Sequence, residues 1–183
     1  MLNRIFTPFP TLATERLTLR QLVMNDRQGI FALRSNSEIN KYLDRQPSKT
    51  LKDAENFINK INDTIKKNDS IYWAITLTDN NTFVGTICLL GFSDQNDKCE
   101  IGYELLVDFQ GQGIMKEAIE KVIEYCFQTM QLQTIEAYTH KDNQRSAKLL
   151  EKSDFIKSPA SDNPHHNYHV FTLVHSNWQP NRY

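Results

Sequence analysis

The sequence predicts an α+β fold, a mixed sheet of six or seven strands flanked by about four helices. Three observations carry that prediction. Residues 71–105 hold three apolar strand-like runs, the first and third alternating, separated by polar turns, the pattern of an antiparallel meander. The third run passes through Gln110-Gly111-Gln112-Gly113 into apolar residues at helical spacing. Another strand pattern follows that helix, and a strand reached through a crossover helix runs parallel to the one before it.

Taken in order, Thr14 to Leu22 alternates polar and apolar and predicts a first strand. Asn25 or Asp26 caps a short helix carrying Ile30, Phe31 and Leu33. Residues 36–50 are polar, with one proline, and predict a partly helical connection. From Lys52 to Lys67, Ala54, Phe57, Ile58, Ile61 and Ile65 share one face of a helix that Thr50 can cap. Ile71, Trp73, Ile75 and Leu77 form a strand with Trp73 on the core side, and Phe83–Leu90 returns beside it after the Asp79–Thr82 turn. A polar turn from Ser93 to Lys98 leads to the strand of Cys99, Ile101, Tyr103, Leu105 and Val107. The helix after the glycines carries Ala118, Ile119, Val122, Ile123, Cys126, Phe127 and Met130. Thr134–His140 is the parallel strand, Asp142 or Asn143 caps a shorter helix with Ala147, Leu149 and Leu150, and Phe155-Ile156 begins a further strand. Residues 158–167 form a loop, and Tyr168–Val174 closes the sheet.

At 183 residues without repeats or linkers, the chain is expected to be a single domain, 1–183. Lys+Arg 21 against Asp+Glu 22 leaves no basic footprint for nucleic acid. No apolar run approaches the roughly 20 residues of a membrane span, and the N-terminus lacks the apolar core and cleavage site of an export signal. Cys88, Cys99 and Cys126 fall in apolar-periodic stretches without C-x-x-C spacing and read as reduced core thiols of a cytoplasmic protein; a Cys88–Cys99 bridge is the alternative.

The glycine turn carries the chemistry. Glycine tolerates positive φ and lets a ligand approach the backbone, while a helix N-terminus presents unpaired N–H groups and the positive end of a dipole. Such a turn suits a phosphate, or is only a tight connection. It matches neither Gly-x-x-x-x-Gly-Lys-Ser/Thr nor Gly-x-Gly-x-x-Gly, so any phosphate here is held by amides without a P-loop lysine.

Four segments in order then resemble a known family: Glu100-Ile-Gly-Tyr-Glu-Leu, Phe109-Gln-Gly-Gln-Gly-Ile-Met-Lys-Glu-Ala118, Asn143-Gln-Arg-Ser146, and Leu150 to Phe155. Together they resemble the GCN5-related N-acetyltransferases (GNAT), and more narrowly the RimJ/RimL branch that acetylates N-termini of ribosomal proteins. The opening Leu12-Ala-Thr-Glu-Arg-Leu-Thr-Leu-Arg20 is similar to that branch's first strand, and the resemblance covers about 11–178. It implies a GNAT fold whose central parallel strands splay apart around acetyl-CoA.

The family's Gln/Arg-x-x-Gly-x-Gly/Ala loop falls on Gln110, Gly111, Gln112, Gly113, Ile114 and Met115, running on into Lys116, and implies amides that grip a pyrophosphate. Met115 departs from the small residue of that pattern, and Asp154 stands where the family has the glycine of Leu-Gly-Phe. The resemblance also implies that the main chain near Leu105, Leu106 and Val107 hydrogen-bonds the pantetheine or the thioester oxygen. Acetyl transfer needs a deprotonated amine, a polarised carbonyl and a proton for the leaving thiolate. Glu100 matches the family's general-base glutamate; otherwise it is a sheet-face carboxylate paired with a lysine. Glu104 shares its face and is a second candidate. Asn143 and Ser146 occupy the family's Asn-x-x-Ser, a pantetheine contact and a hydroxyl near the thiolate, or else a local helix cap. The tyrosine that many relatives use as acid has no counterpart between Asn143 and Phe155.

His165, His166 and His169 lack the accompanying ligands of a zinc site and read as a solvated loop beside the acceptor, with no metal expected. The implied activity is direct, acetyl-CoA-dependent acetylation of a primary amine, first a protein N-terminal α-amine. A small amine (amino acid, polyamine or antibiotic) is the alternative acceptor, and a non-catalytic acyl-CoA-binding module is the rival from another class. Acceptor choice is assigned to residues 36–50 and 158–168, and the protein is expected to work as a monomer or homodimer.

Overall fold

The computed structural model describes residues 4–93, 95, 97–159 and 167–180. An eight-stranded sheet runs in the order β1-β2-β3-β4-β5-β6-β8-β7. Its strands are β1 (Leu12–Ala13), β2 (Leu17–Gln21), β3 (Ile71–Leu77), β4 (Phe83–Leu90), β5 (Lys98–Leu105), β6 (Thr134–His140), β7 (Ile156–Lys157) and β8 (Tyr168–Val174). The helices are α1 (Arg27–Ser35), α2 (Ser37–Asn40), α3 (Leu51–Lys66), α4 (Ile114–Glu124) and α5 (Gln144–Glu151).

β2 to β5 form the antiparallel meander, and β6 joins β5 in parallel through the α4 crossover. α4 and α5 bury their apolar stripes on one face, where Ile119, Val122 and Leu150 meet Ile87, Cys99, Ile101 and Ile135. α1 and α3 cover part of the other face, packing Ile30, Ala54 and Ile58 against Ala74 of β3. Thr50 caps α3 in a reciprocal box with Asp53, as its spacing predicts. Trp73 is fully buried and donates its indole N–H to the Pro10 carbonyl, and the three cysteines are buried and free.

The structure departs from the sequence reading in four places. The strand predicted over Thr14–Leu22 begins only at Leu17, and a separate two-residue strand, Leu12–Ala13, precedes it, because Thr14 and Leu17 exchange hydrogen bonds through the Thr14 hydroxyl and backbone and turn the chain back on itself. The helix after the glycines ends in a π turn, Tyr125–Thr129, closed by the Met130 N–H bonding to the Tyr125 carbonyl; Cys126, Phe127 and Met130 still face the core. Val107 leaves the alternation and is exposed in a 3-10 turn, Val107–Phe109. β8 lies inside the sheet and the two-residue β7 is the edge, since β8 pairs with β6 along its whole length.

β5 and β6 pair only where Lys98, Cys99 and Glu100 face Thr134, Ile135 and Glu136. Beyond that point β5 continues to Leu105 and β6 to His140 without pairing to each other, and a gap opens between them.

Candidate active site

The glycine turn stands at the mouth of that gap. Gly111 (φ 76°) and Gly113 (φ 77°) are both left-handed, and Gly113 is the N-cap of α4. A Cβ on Gly111 would meet no protein atom within 4 Å, so a ligand can reach the backbone there. The amides of Gly111, Gln112, Gly113, Ile114 and Met115 donate to no acceptor among the described residues, at the positive end of the helix dipole. Five unsatisfied donors around an open, left-handed turn fit a diphosphate. Ile114 and Met115 turn their side chains into the core, so the bulk of Met115 stays away from this surface. The Lys116 ammonium pairs with Glu120 one turn along. Gln110 differs from the expectation: its amide already bonds the Val107 carbonyl, and its side chain instead ties the Leu105 carbonyl to Arg145 of α5.

Arg16 holds the turn from outside, donating to the Gln112 carbonyl at 3.1 Å and pairing with Glu117 at 2.6 Å. Burial pulls the Glu117 carboxyl up, but hydrogen bonds from the Thr14 hydroxyl, the Arg16 amide and the Arg16 guanidinium outweigh it and keep its pKa below the usual value. An open trough of about 780 Å³ runs along this outer side of α4. Three ion pairs line it, Arg16–Glu117, Lys116–Glu120 and Lys121–Glu124.

Inside the gap, the three main-chain groups expected to act together separate. The Leu106 amide bonds the Val84 carbonyl of β4, which corrects its assignment as a donor to the gap. Bonding directions alternate along a strand, so the Leu105 amide points the opposite way, toward the gap. The Val107 amide opens the 3-10 turn and has no acceptor among the described residues. Asn143 caps α5, its side-chain oxygen accepting the Ser146 amide at 3.1 Å. The Ser146 hydroxyl lies 2.9 Å from the Tyr103 phenol of β5.

Glu100 and Glu104 stand on the opposite face of β5. Glu100 is half-buried, and no hydrogen bond or ion pair reaches its carboxylate from the described residues. Lys98, the lysine in range on this strand, pairs with Glu136 instead, at 3.2 Å. Burial first, and the neighbouring Glu136 carboxylate second, raise the Glu100 pKa. Glu104 has a different situation: it forms a largely buried ion pair with Arg45, which pins the 36–50 connection onto the sheet. Beyond them, Tyr42, His140 and Tyr168 line a cavity of about 270 Å³, with the Tyr42 ring stacked on His140 at 5.5 Å.

His165 and His166 lie outside the described residues. His169 is on β8, 3.0 Å from the Lys157 ammonium, and no metal-holding cluster occurs among the described residues. The sequence reading missed Arg16, Arg45, Tyr103, Glu136 and Arg145. Tyr103 was visible only as one more apolar position of the strand, and the arginines lie far along the chain from what they hold.

The family model of the acetyltransferase (GNAT) domain matches residues 16–156. YoaA of Bacillus subtilis (strain 168), an uncharacterized N-acetyltransferase, is 33% identical over 149 residues, 81% of this chain and 84% of its own. RimL, a ribosomal L7/L12 alpha-N-protein acetyltransferase solved with coenzyme A, superposes with a TM-score of 0.79 at 16% identity, covering 90% of this chain and 98% of its own. Spermidine N-acetyltransferase from Vibrio cholerae, solved with CoA and spermine, gives 0.76 at 20% identity over 90% and 94% of the two chains. At these identities the two structures are alike in fold.

Proposed function

The chain belongs to the GNAT acetyltransferase family and is an N-acetyltransferase with acetyl-CoA as its acetyl donor; on that premise we propose that its acceptor is a protein N-terminal α-amine. The observation that carries this reading is Glu100, a half-buried carboxylate without a partner among the described residues, where β5 and β6 part. His140 lies on the same face of the sheet, further along β6 from the Glu136 that faces Glu100, and lines a surface cavity with Tyr42 and Tyr168; an opening there suits a chain end that enters while the rest of its protein stays outside. RimL and the spermidine enzyme share this fold about equally, and it is the resemblance of the four sequence segments to the RimJ/RimL branch that favours a protein N-terminus.

Acetyl-CoA, when bound, supplies a thioester carbonyl activated toward amines. The free amides from Gly111 to Met115 would hold its diphosphate, and the Leu105 amide faces the gap in which its pantetheine arm would lie. Glu100 takes a proton from the incoming ammonium, directly or through water. Its raised pKa makes it a better match to an amine near neutral pH than an ordinary carboxylate. Ser146 presents a hydroxyl to the leaving sulfur from the other side of the gap. Asn143 acts through its cap, holding the first turn of α5 and with it Ser146. Cys99 and Cys126 are buried, and burial pushes the Cys126 thiol well up, so neither serves as an acetyl-carrying nucleophile.

The acceptor is tested by incubating the protein with acetyl-CoA and peptides with free or blocked N-termini, with spermidine in parallel, while reading thiol release and product mass. One acetyl group gained at the free N-terminus is the expected result. Product on spermidine alone would move the acceptor to small polyamines. Coenzyme binding without thiol release on any acceptor would make the chain a binding module.

A further inference from the structure

The Tyr103–Ser146 contact joins β5 to α5 across the gap, beyond the last β5–β6 pair. Two hydroxyls carry two hydrogens, and their mutual bond uses one. Neither hydroxyl has another hydrogen-bond partner among the described residues, so one hydrogen of the pair remains undirected by the protein. Both side chains are rooted in firm elements: Tyr103 lies between the buried Ile101 and Leu105, and Ser146 sits in the first turn of α5, its amide held by Asn143.

We propose that Tyr103 is a positioning residue, whose phenol orients the Ser146 hydroxyl so that the pair donates one hydrogen bond into the gap, to the sulfur of bound coenzyme A. This rests on the acetyl-CoA reading above. The same hydrogen is available whichever hydroxyl donates to the other, so the function belongs to the pair.

The pair donates a hydrogen bond and gives up no proton. Burial pushes the Tyr103 phenol up to about 12 even against the Ser146 bond. An ordinary thiol titrates near about 8.5, so the buried phenol is the weaker acid by roughly three units. A donor that stays protonated stabilises a thiolate across the whole neutral range.

The test is the ionisation of coenzyme A bound to the protein, followed by thiolate absorbance as pH is raised. A hydrogen bond to a charged acceptor corresponds to a shift of about one pKa unit or more. The bound thiol in the unmodified protein is therefore expected below that of free coenzyme A. Tyr103→Phe and Ser146→Ala should each raise it by about one unit. The double variant should go no further than either single, and Ser146→Thr should keep the original value. Equal thiol pKa in the unmodified protein and Tyr103→Phe, with coenzyme A raising the melting temperature of both, overturns the positioning role and leaves the acetyl-CoA reading intact. A lower melting temperature of Tyr103→Phe with an unmoved thiol pKa assigns the contact to the fold and overturns it too. Failure of coenzyme A to protect the unmodified protein against melting removes both inferences together.

Discussion

The two sides of β5 are built by different means. On the side of the glycine turn the working groups are backbone amides, oriented by two left-handed glycines and a helix start, all within residues 111–115. On the Glu100 side they are side chains: Glu100 and Glu136 from two strands, Arg45 from a connection some fifty residues upstream in the chain, and Tyr42, His140 and Tyr168 around the cavity. A backbone site tolerates changes of side chain, as the inward-facing Met115 illustrates. A side-chain site depends on each residue and on what holds it. The first kind suits a ligand that every relative binds, the second a ligand that differs among them.

The comparison breaks first at Glu100. Glu100→Gln is expected to lower kcat by about a hundredfold or more, as for loss of a general base, with coenzyme binding by calorimetry unchanged. Equal turnover near neutral pH would remove Glu100 from the chemistry. The pH profile sharpens this. Glu100 works only when ionised, so kcat/KM falls as pH drops through its pKa, and burial and Glu136 place that limb above the ordinary carboxylate range. Glu136→Gln removes a like charge and should move the limb to lower pH.

Arg45→Ala comes next, because it takes from the buried Glu104 its direct ion-pair partner and leaves only the more distant Arg34 charge. A loss of about 3 kcal/mol is expected in denaturant unfolding, and Arg45→Met with Glu104→Leu should recover most of it. If Arg45→Ala left stability untouched, the pair would not be what holds the 36–50 connection down. On the other side of β5, Gly113→Ala forces a side chain into left-handed backbone 3.5 Å from the Arg16 guanidinium. Strain of about 1–2 kcal/mol should appear as roughly tenfold weaker coenzyme binding, with kcat nearly unchanged. A fall in kcat alone would contradict the division between the two sides. The smallest effect belongs to a position in neither site. Asp154 has φ 64° where α5 ends, so Asp154→Gly should stabilise by about 1 kcal/mol, seen as a higher melting temperature at constant activity.

Much of the cofactor side was legible because it is local. The turn at Gly111–Gly113 follows from neighbouring residues and the conformations they permit, as do two features outside the cofactor side, Thr50 capping α3 and the Asp154 strain. Val107 and Gln110 were misread for a local reason as well: a single 3-10 turn ended the alternation and used the Gln110 amide. The parallel placement of β6 followed from the crossover rule, while the gap between β5 and β6 entered only through the family resemblance. Glu100 was nominated by resemblance too. Its isolation could not be read from its neighbours in the chain, since the nearby Lys98 looks like a partner and instead pairs with Glu136.

By itself, then, the sequence determined the strands, the helices and the turn of bare amides, because periodicity, capping and glycine conformation act over a few residues. Tertiary structure alone decided that Glu100 has no counter-charge among the described residues, that Glu104 answers to Arg45, and that Tyr103 meets Ser146 across the gap. Those facts depend on which side chains from distant segments arrive within about 3 Å of one another, and sheet register and helix packing set that distance.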